Sequence, residues 1–196
     1  LLNTALVCVL GRRVLGGQWQ GLLVGALYGV HPALVESVAF VSSRYDLMAT
    51  LFLLLALWWE GRLRGAGRVV GVSAAFLLAL LSKEVALTLP VVMLFWHLAQ
   101  RAGKRVGVGS LIRRERALYL GLVGALGVYF AIRYAALGYL FTAPPEGLQI
   151  EAGTPLQHLL LIGRTLTTLI ALALFPFFSI TPVHHSELPI PLSDGW

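Results

Sequence analysis

Val69–Trp96 reads VVGVSAAFLLALLSKEVALTLPVVMLFW, an apolar stretch whose only charges are Lys83 and Glu84 at its centre. As one helix it would run about 42 Å at 1.5 Å per residue. It would then put Arg101, Lys104, Arg105, Arg113, Arg114 and Arg116 on the opposite side from the other basic clusters. Those clusters are Arg12 with Arg13, and Arg62 with Arg64 and Arg68. Basic clusters between apolar spans mark cytoplasmic loops, so the stretch is read as two helices meeting at Ser82-Lys83-Glu84. Each arm of about 14 residues reaches about 21 Å, short of the roughly 30 Å hydrocarbon core. Lys83 and Glu84 then lie below the outer surface, where a charge facing lipid costs several kcal/mol. They require a water-filled recess lined by protein.

Composition agrees with a membrane chain. Of 196 residues, 58% are hydrophobic and 12% charged, with mean hydropathy +0.81. Soluble domains carry about 25% charged residues. Net charge +6 suits nucleic acid as a class, but the basic residues are confined to loops and lack interleaved aromatics, so membrane anchoring explains them better. The single Cys8 excludes an internal disulfide. Thirteen Arg against two Lys, with abundant Ala and Gly, point to a GC-rich bacterial genome.

Working outward, six spans or near-spans are expected at 1–10, 21–40, 46–59, 69–82, 85–96 and 117–140. They form an all-α, polytopic transmembrane helical bundle over residues 1–140. Residues 141–196 are expected to be an extracytoplasmic region, with a polar loop TAPPEGLQIEAGTP at 142–155 and one helix at 156–178 that spans the membrane or lies along its surface. Four prolines in 179–196 argue against helix there. The chain starts without Met and is read as an internal fragment of a longer protein.

The remaining charges gather on the outer side. His31-Pro32-Ala33-Leu34-Val35-Glu36 puts a helix-breaking proline in mid-span with Glu36 about one turn on. This is either a kinked span with a solvated Glu or a His/Glu pair facing a cavity. In the short turn Ser42-Ser43-Arg44-Tyr45-Asp46, Asp46 suits a helix start. Arg44 runs against the positive-inside rule, and a phosphate partner would explain it. Lys83 and Glu84 pair poorly with each other as neighbours on a turn, so partners elsewhere are expected. Arg133 and Arg164 flank the outer loop. His184-His185 and Glu187 make a weak metal candidate, because adjacent histidines rarely share one ion, and no metal site is assigned. Gly25 and Gly29 make a small-xxx-small face for helix packing. No Walker or Rossmann glycine pattern and no nucleophile elbow occurs.

HPALVESVAFVSSRYDLMATLFLLLAL followed by LLSKEVALTLPVVMLFW resembles the GT-C glycosyltransferases, most of all the transmembrane-and-tetratricopeptide-repeat mannosyltransferases and their bacterial relatives. The AIRYAALGYLF and FPFFSITP segments are also similar to counterparts there, and the resemblance covers about Gly21 to Pro182. The chain departs from it in having Pro144-Pro145 where an Asn-Pro is expected. The resemblance implies a GT-C-like enzyme that moves a sugar from a polyprenyl-phosphate donor to an acceptor, a protein hydroxyl or a glycan, on the extracytoplasmic face. It implies that the catalytic acid lies upstream of Leu1 and a repeat domain downstream, so this fragment alone is expected to be inactive.

Independently, a lipid-phosphate leaving group needs cations as charge develops on it. Lys83, Arg44, Arg133 and Arg164 are the candidates to bind the donor phosphate. His31, Glu36, Asp46 and Glu84 are candidates to line and orient the cavity. No cofactor is assigned, and Glu36 and Asp46 could orient either that site or a divalent cation. The expected partners are the bilayer, the polyprenyl-linked sugar and the acceptor, without nucleic acid. The expected location is a bacterial inner membrane, or the endoplasmic reticulum membrane in a eukaryote. Two other classes fit the charges less well. An ion-coupled transporter would show inverted repeats and midplane sites, and a non-catalytic scaffold for a repeat domain would leave Lys83 unexplained.

Overall fold

The computed structural model describes residues 1–34, 43–101, 107–138 and 155–174. The chain divides into two compact units, one of Leu1–Val30 with Ser37–Leu140 and one of His31–Glu36 with Phe141–Trp196. Every regular element among the described residues is helical. The first unit holds α1 (Leu2–Leu15), α2 (Gln18–Gly29), α3 (Arg44–Arg62), α4 (Gly65–Ser82), α5 (Leu89–Ala99), α6 (Val108–Arg114) and α7 (Arg116–Leu137). The second holds the single turn Pro32–Leu34 and α8 (Pro155–Leu174).

α4 is the centre of the first unit, packed by α3 on one side and α7 on another. Its residues Val72, Ala75, Phe76, Ala79 and Leu80 are buried at the 3–4 spacing of one helical face. They meet Leu118, Leu122, Ala125 and Tyr129 of α7, and Ala56 and Leu57 of α3. The hairpin reading of Val69–Trp96 holds: α4 ends at Ser82, Lys83 is extended, and a 3-10 turn over Glu84–Thr88 leads into α5 with Pro90 in its first turn. Proline is tolerated there because the first N–H groups of a helix lack partners anyway.

Three boundaries differ from the sequence reading. α1 runs past residue 10 to Leu15, so Arg12 and Arg13 form its last turn, where cations suit the negative end of the helix dipole. Gly16 then ends it with φ 79°, a left-handed conformation that glycine adopts without strain. The expected span 21–40 begins earlier, at Gln18, and stops at Gly29. Pro32 supplies no N–H and pushes His31 out of the helical region, while residues 35–40 lie outside those described. In the basic stretch 101–116, Val108–Arg114 is a short helix rather than loop.

The expected count of six spans is larger than the helix lengths support. Among the described residues, α4 and α7 are long and apolar enough to cross a membrane. α3 has 19 residues, but Arg44, Asp46, Glu60 and Arg62 crowd its ends. Only 28% of the apolar window of α4 and 17% of that of α7 is buried among the described residues. Val70, Leu78, Leu81, Leu120, Val123 and Ile132 are among their exposed apolar side chains.

α1 and α2 approach closely because α2 carries glycine where they touch. A Cβ at Gly21 would stand 2.6 Å from the Cys8 carbonyl oxygen, and one at Gly25 would collide with the Cys8 sulfur. Gly21→Leu should therefore force the pair apart and cost about 1–3 kcal/mol, the usual penalty of overpacking. Cys8 is the only cysteine, so its rate of maleimide labelling reads this directly. Faster labelling in the variant is expected, and an unchanged rate would show that the helices do not meet there.

Candidate functional site

Two charge clusters occupy opposite ends of the α3–α4–α7 core. α3 and α4 are antiparallel neighbours, so Asp46 at the start of α3 faces the end of α4, and Glu60 near the end of α3 faces its start.

At the first end, Lys83 Nζ forms an ion pair with the Asp46 carboxylate. Arg133, on the last turns of α7, pairs with Glu84 and also donates to the Tyr129 hydroxyl at 2.9 Å. Lys83 and Glu84 thus take their partners from α3 and α7 and not from each other, as expected for neighbours on a turn. The 3-10 turn is what sends these two side chains to different helices. The Lys83 side chain stays 48% exposed and Glu84 62%, so both ion pairs open to surroundings that a ligand can reach. The Arg133 Nε is buried without a hydrogen-bond partner, which leaves one donor of its guanidinium unspent.

Arg44 does not pair with Asp46, whose carboxylate Lys83 takes. Arg44 is exposed at the first position of α3, and Glu36 lies outside the described residues. His31, half-buried, and Arg164, exposed on α8, belong to the second unit. His184, His185 and Glu187 fall outside the described residues, within which no group of three or more metal-ligating side chains occurs.

The second end carries a buried network that the sequence reading missed. The Glu60 carboxylate accepts from Trp96 Nε1 at 3.1 Å and from Arg68 Nη2 at 3.2 Å, and His97 Nε2 lies 3.2 Å away. Arg13 reaches to 4.0 Å from α1 and stacks over Trp96. Arg68 Nη1 donates to Glu115 at 2.9 Å, and Arg101 also reaches Glu115, at 3.2 Å. His97 Nδ1 stands 3.4 Å from the Tyr119 hydroxyl. Helices α1, α3, α4, α5 and α7 are therefore joined through Glu60, Arg68 and His97.

Glu60 lies one residue beyond the apolar stretch 46–59. Burial raises its pKa, but hydrogen bonds from His97 and Trp96 and the nearby His97 and Arg68 charges outweigh that and hold it at about 2. Both carboxylate oxygens accept hydrogen bonds and the side chain is 7% exposed, so this network ties helices together and does not face a ligand. The signal for it was present. Glu60 and Glu115 were the only acids among the basic clusters, and eight residues separate Glu60 from Arg68 across the α3–α4 turn.

A depressed carboxyl stabilises the fold fully above its unfolded value of 4.5, and this contribution disappears as pH falls toward about 2. The melting-temperature gap between the wild-type chain and Glu60→Gln should hence be constant above pH 5 and narrow below 4.5. A gap independent of pH would remove the charge from the explanation.

Comparison with known proteins gives one distant similarity. The chain is 29% identical over 202 aligned positions to a Drosophila melanogaster protein called Protein O-mannosyl-transferase Tmtc2. The alignment takes in 98% of this chain and 20% of that protein, so the chain spans about a fifth of the relative's length. No family model matches. No solved structure matches either.

Proposed function

We propose that the chain is the membrane-embedded part of a glycosyltransferase, one that passes mannose from a polyprenyl-phosphate carrier to a protein hydroxyl at the end of the bundle holding Lys83. The distant similarity to a protein O-mannosyltransferase supports the transferase class. The observation that carries the site is the Lys83–Asp46 and Arg133–Glu84 cluster, two cations held by half-open ion pairs at a helix break. Such cations can exchange a carboxylate for a phosphate oxygen without being left unpaired, which keeps the desolvation cost low. In this reading the departing lipid phosphate takes up the electron pair of the sugar–oxygen bond, while Lys83, Arg133 and Arg44 stabilise its growing charge. The acceptor hydroxyl gives its proton to a carboxylate, which the proposal places upstream of Leu1.

The same reading puts the bundle in a membrane with the arginine-rich end toward the cytoplasm. Cysteines at Ser43 and Ser110 should then label from opposite sides, and labelling of both from one side would sink the topology. For activity, the full-length protein in proteoliposomes should move radiolabelled mannose from a polyprenyl-phosphate carrier to protein. Absence of transfer together with ion flux across the vesicle wall would favour a transporter instead.

A further inference from the structure

We infer that a cavity at the arginine-rich end of the bundle holds the headgroup of an anionic phospholipid. The inference rests on the membrane placement above. The cavity, about 460 Å³, lies between the start of α4 and the junction of α6 with α7. One part of its wall is polar, with Arg114 and the first α4 residues Gly65 and Ala66. The other part is apolar, with Val69, Val70 and Leu118.

Its charge balance favours an anion. The acid in the wall, Glu115, is already engaged by Arg68 at 2.9 Å and by Arg101 at 3.2 Å, and Arg68 is further occupied by Glu60. Among the described residues, Arg64, Arg113, Arg114 and Arg116 have no ion-pair partner. They sit within two positions of residues that line the cavity. The opening turn of α4 adds to this, with no acidic residue and no side-chain cap. Its Gly65 and Ala66 carry nothing bulky that would keep a phosphate from the uncapped amides.

The apolar part decides which phosphate compound fits. Free phosphate would use only the arginines and the amides. Val70, 66% exposed, carries the apolar part of the wall beside Val69 and Leu118 outward along α4. A headgroup phosphate with an acyl chain beside it matches both parts at once. Basic pockets between membrane helices on the cytoplasmic side recruit anionic lipids by this combination.

Native mass spectrometry of the full-length protein, titrated separately with phosphatidylglycerol, phosphatidylcholine and inorganic phosphate, tests the site. Phosphatidylglycerol should bind more tightly than phosphatidylcholine, and inorganic phosphate should not displace it. Arg114→Gln should weaken phosphatidylglycerol about fivefold, the effect of one basic residue near a membrane surface. The filled variant Ala66→Leu should weaken it as well, while Arg12→Gln, at the end of α1, should leave it unchanged. Equal binding of the two lipids would overturn the site. So would an equal effect of Arg12→Gln, which means diffuse attraction, or full displacement by inorganic phosphate, which means a simple anion site. Labelling at Ser43 and Ser110 is read on the same samples. Loss of lipid selectivity with opposite-side labelling refutes the lipid site alone, and same-side labelling refutes the membrane placement beneath it.

Discussion

Lys83→Ala in the full-length protein should lower sugar transfer by about 10²–10³-fold, the scale seen when one group that stabilises transition-state charge is removed. Lys83 stands between α4 and the 3-10 turn, so its removal disturbs neither helix, and membrane insertion should be unchanged. Its partner gives a second reading of the same pair. Asp46→Asn releases Lys83 from its carboxylate, so donor affinity should not fall as it does in Lys83→Ala. Lys83→Arg keeps the charge but spreads it over a planar fork and should restore only part of the activity. Transfer assays at saturating acceptor, with donor binding measured separately, distinguish these outcomes. Unchanged donor affinity and unchanged transfer in Lys83→Ala would remove the residue from the site.

The largest effect on folding is expected from Arg68→Met. Arg68 is the cation that Glu60 and Glu115 share, and its loss leaves both carboxylates short of a partner inside the bundle. Breaking a buried ion pair from one side costs about 3–5 kcal/mol. Arg62→Met is the control, since Arg62 makes only a cation–π contact with Trp58, and surface changes of that kind stay within about 0.5 kcal/mol. Adding Glu60→Gln to Arg68→Met should recover part of the loss, because the neutral amide no longer needs a counter-charge and still accepts from Trp96. Thermal melting in detergent checks all three. If Arg68→Met melts with Arg62→Met, the network does not hold the helices together.

The hairpin at Ser82-Lys83-Glu84 was legible because two independent constraints met there, the spacing of basic clusters and the presence of charge in mid-run. The partners of Lys83 and Glu84 were legible only as a negative, since adjacent residues on a turn point apart. Which helices would supply them depends on packing that no local pattern encodes. The Glu60–Arg68–His97 network went unseen for a related reason. Its members come from separate segments, and each alone passes for a solvated charge or a core histidine. The end of α2 was misplaced because apolar residues resume at Ala33-Leu34-Val35 beyond His31-Pro32, although the helix stops at Gly29. Hydrophobicity governs where a segment partitions, whereas a missing N–H governs where a helix stops.

The α3–α4 pair is fastened twice, by Asp46–Lys83 at one end and by Glu60–Arg68 at the other. Fourteen residues separate the two acids on α3, and fifteen separate Arg68 on α4 from Lys83 just past its end, a rise of about 21 and 22 Å. With spans so closely matched, any slide of one helix along the other must break both fastenings together. A one-turn ratchet of about 5.4 Å would therefore part both ion pairs at once. Beyond Ser82 the chain leaves α4 through an extended Lys83. The residue proposed to grip the donor is thus also one of the two ties between α3 and α4, so a donor phosphate that drew Lys83 from Asp46 would leave the pair held at the Glu60–Arg68 end.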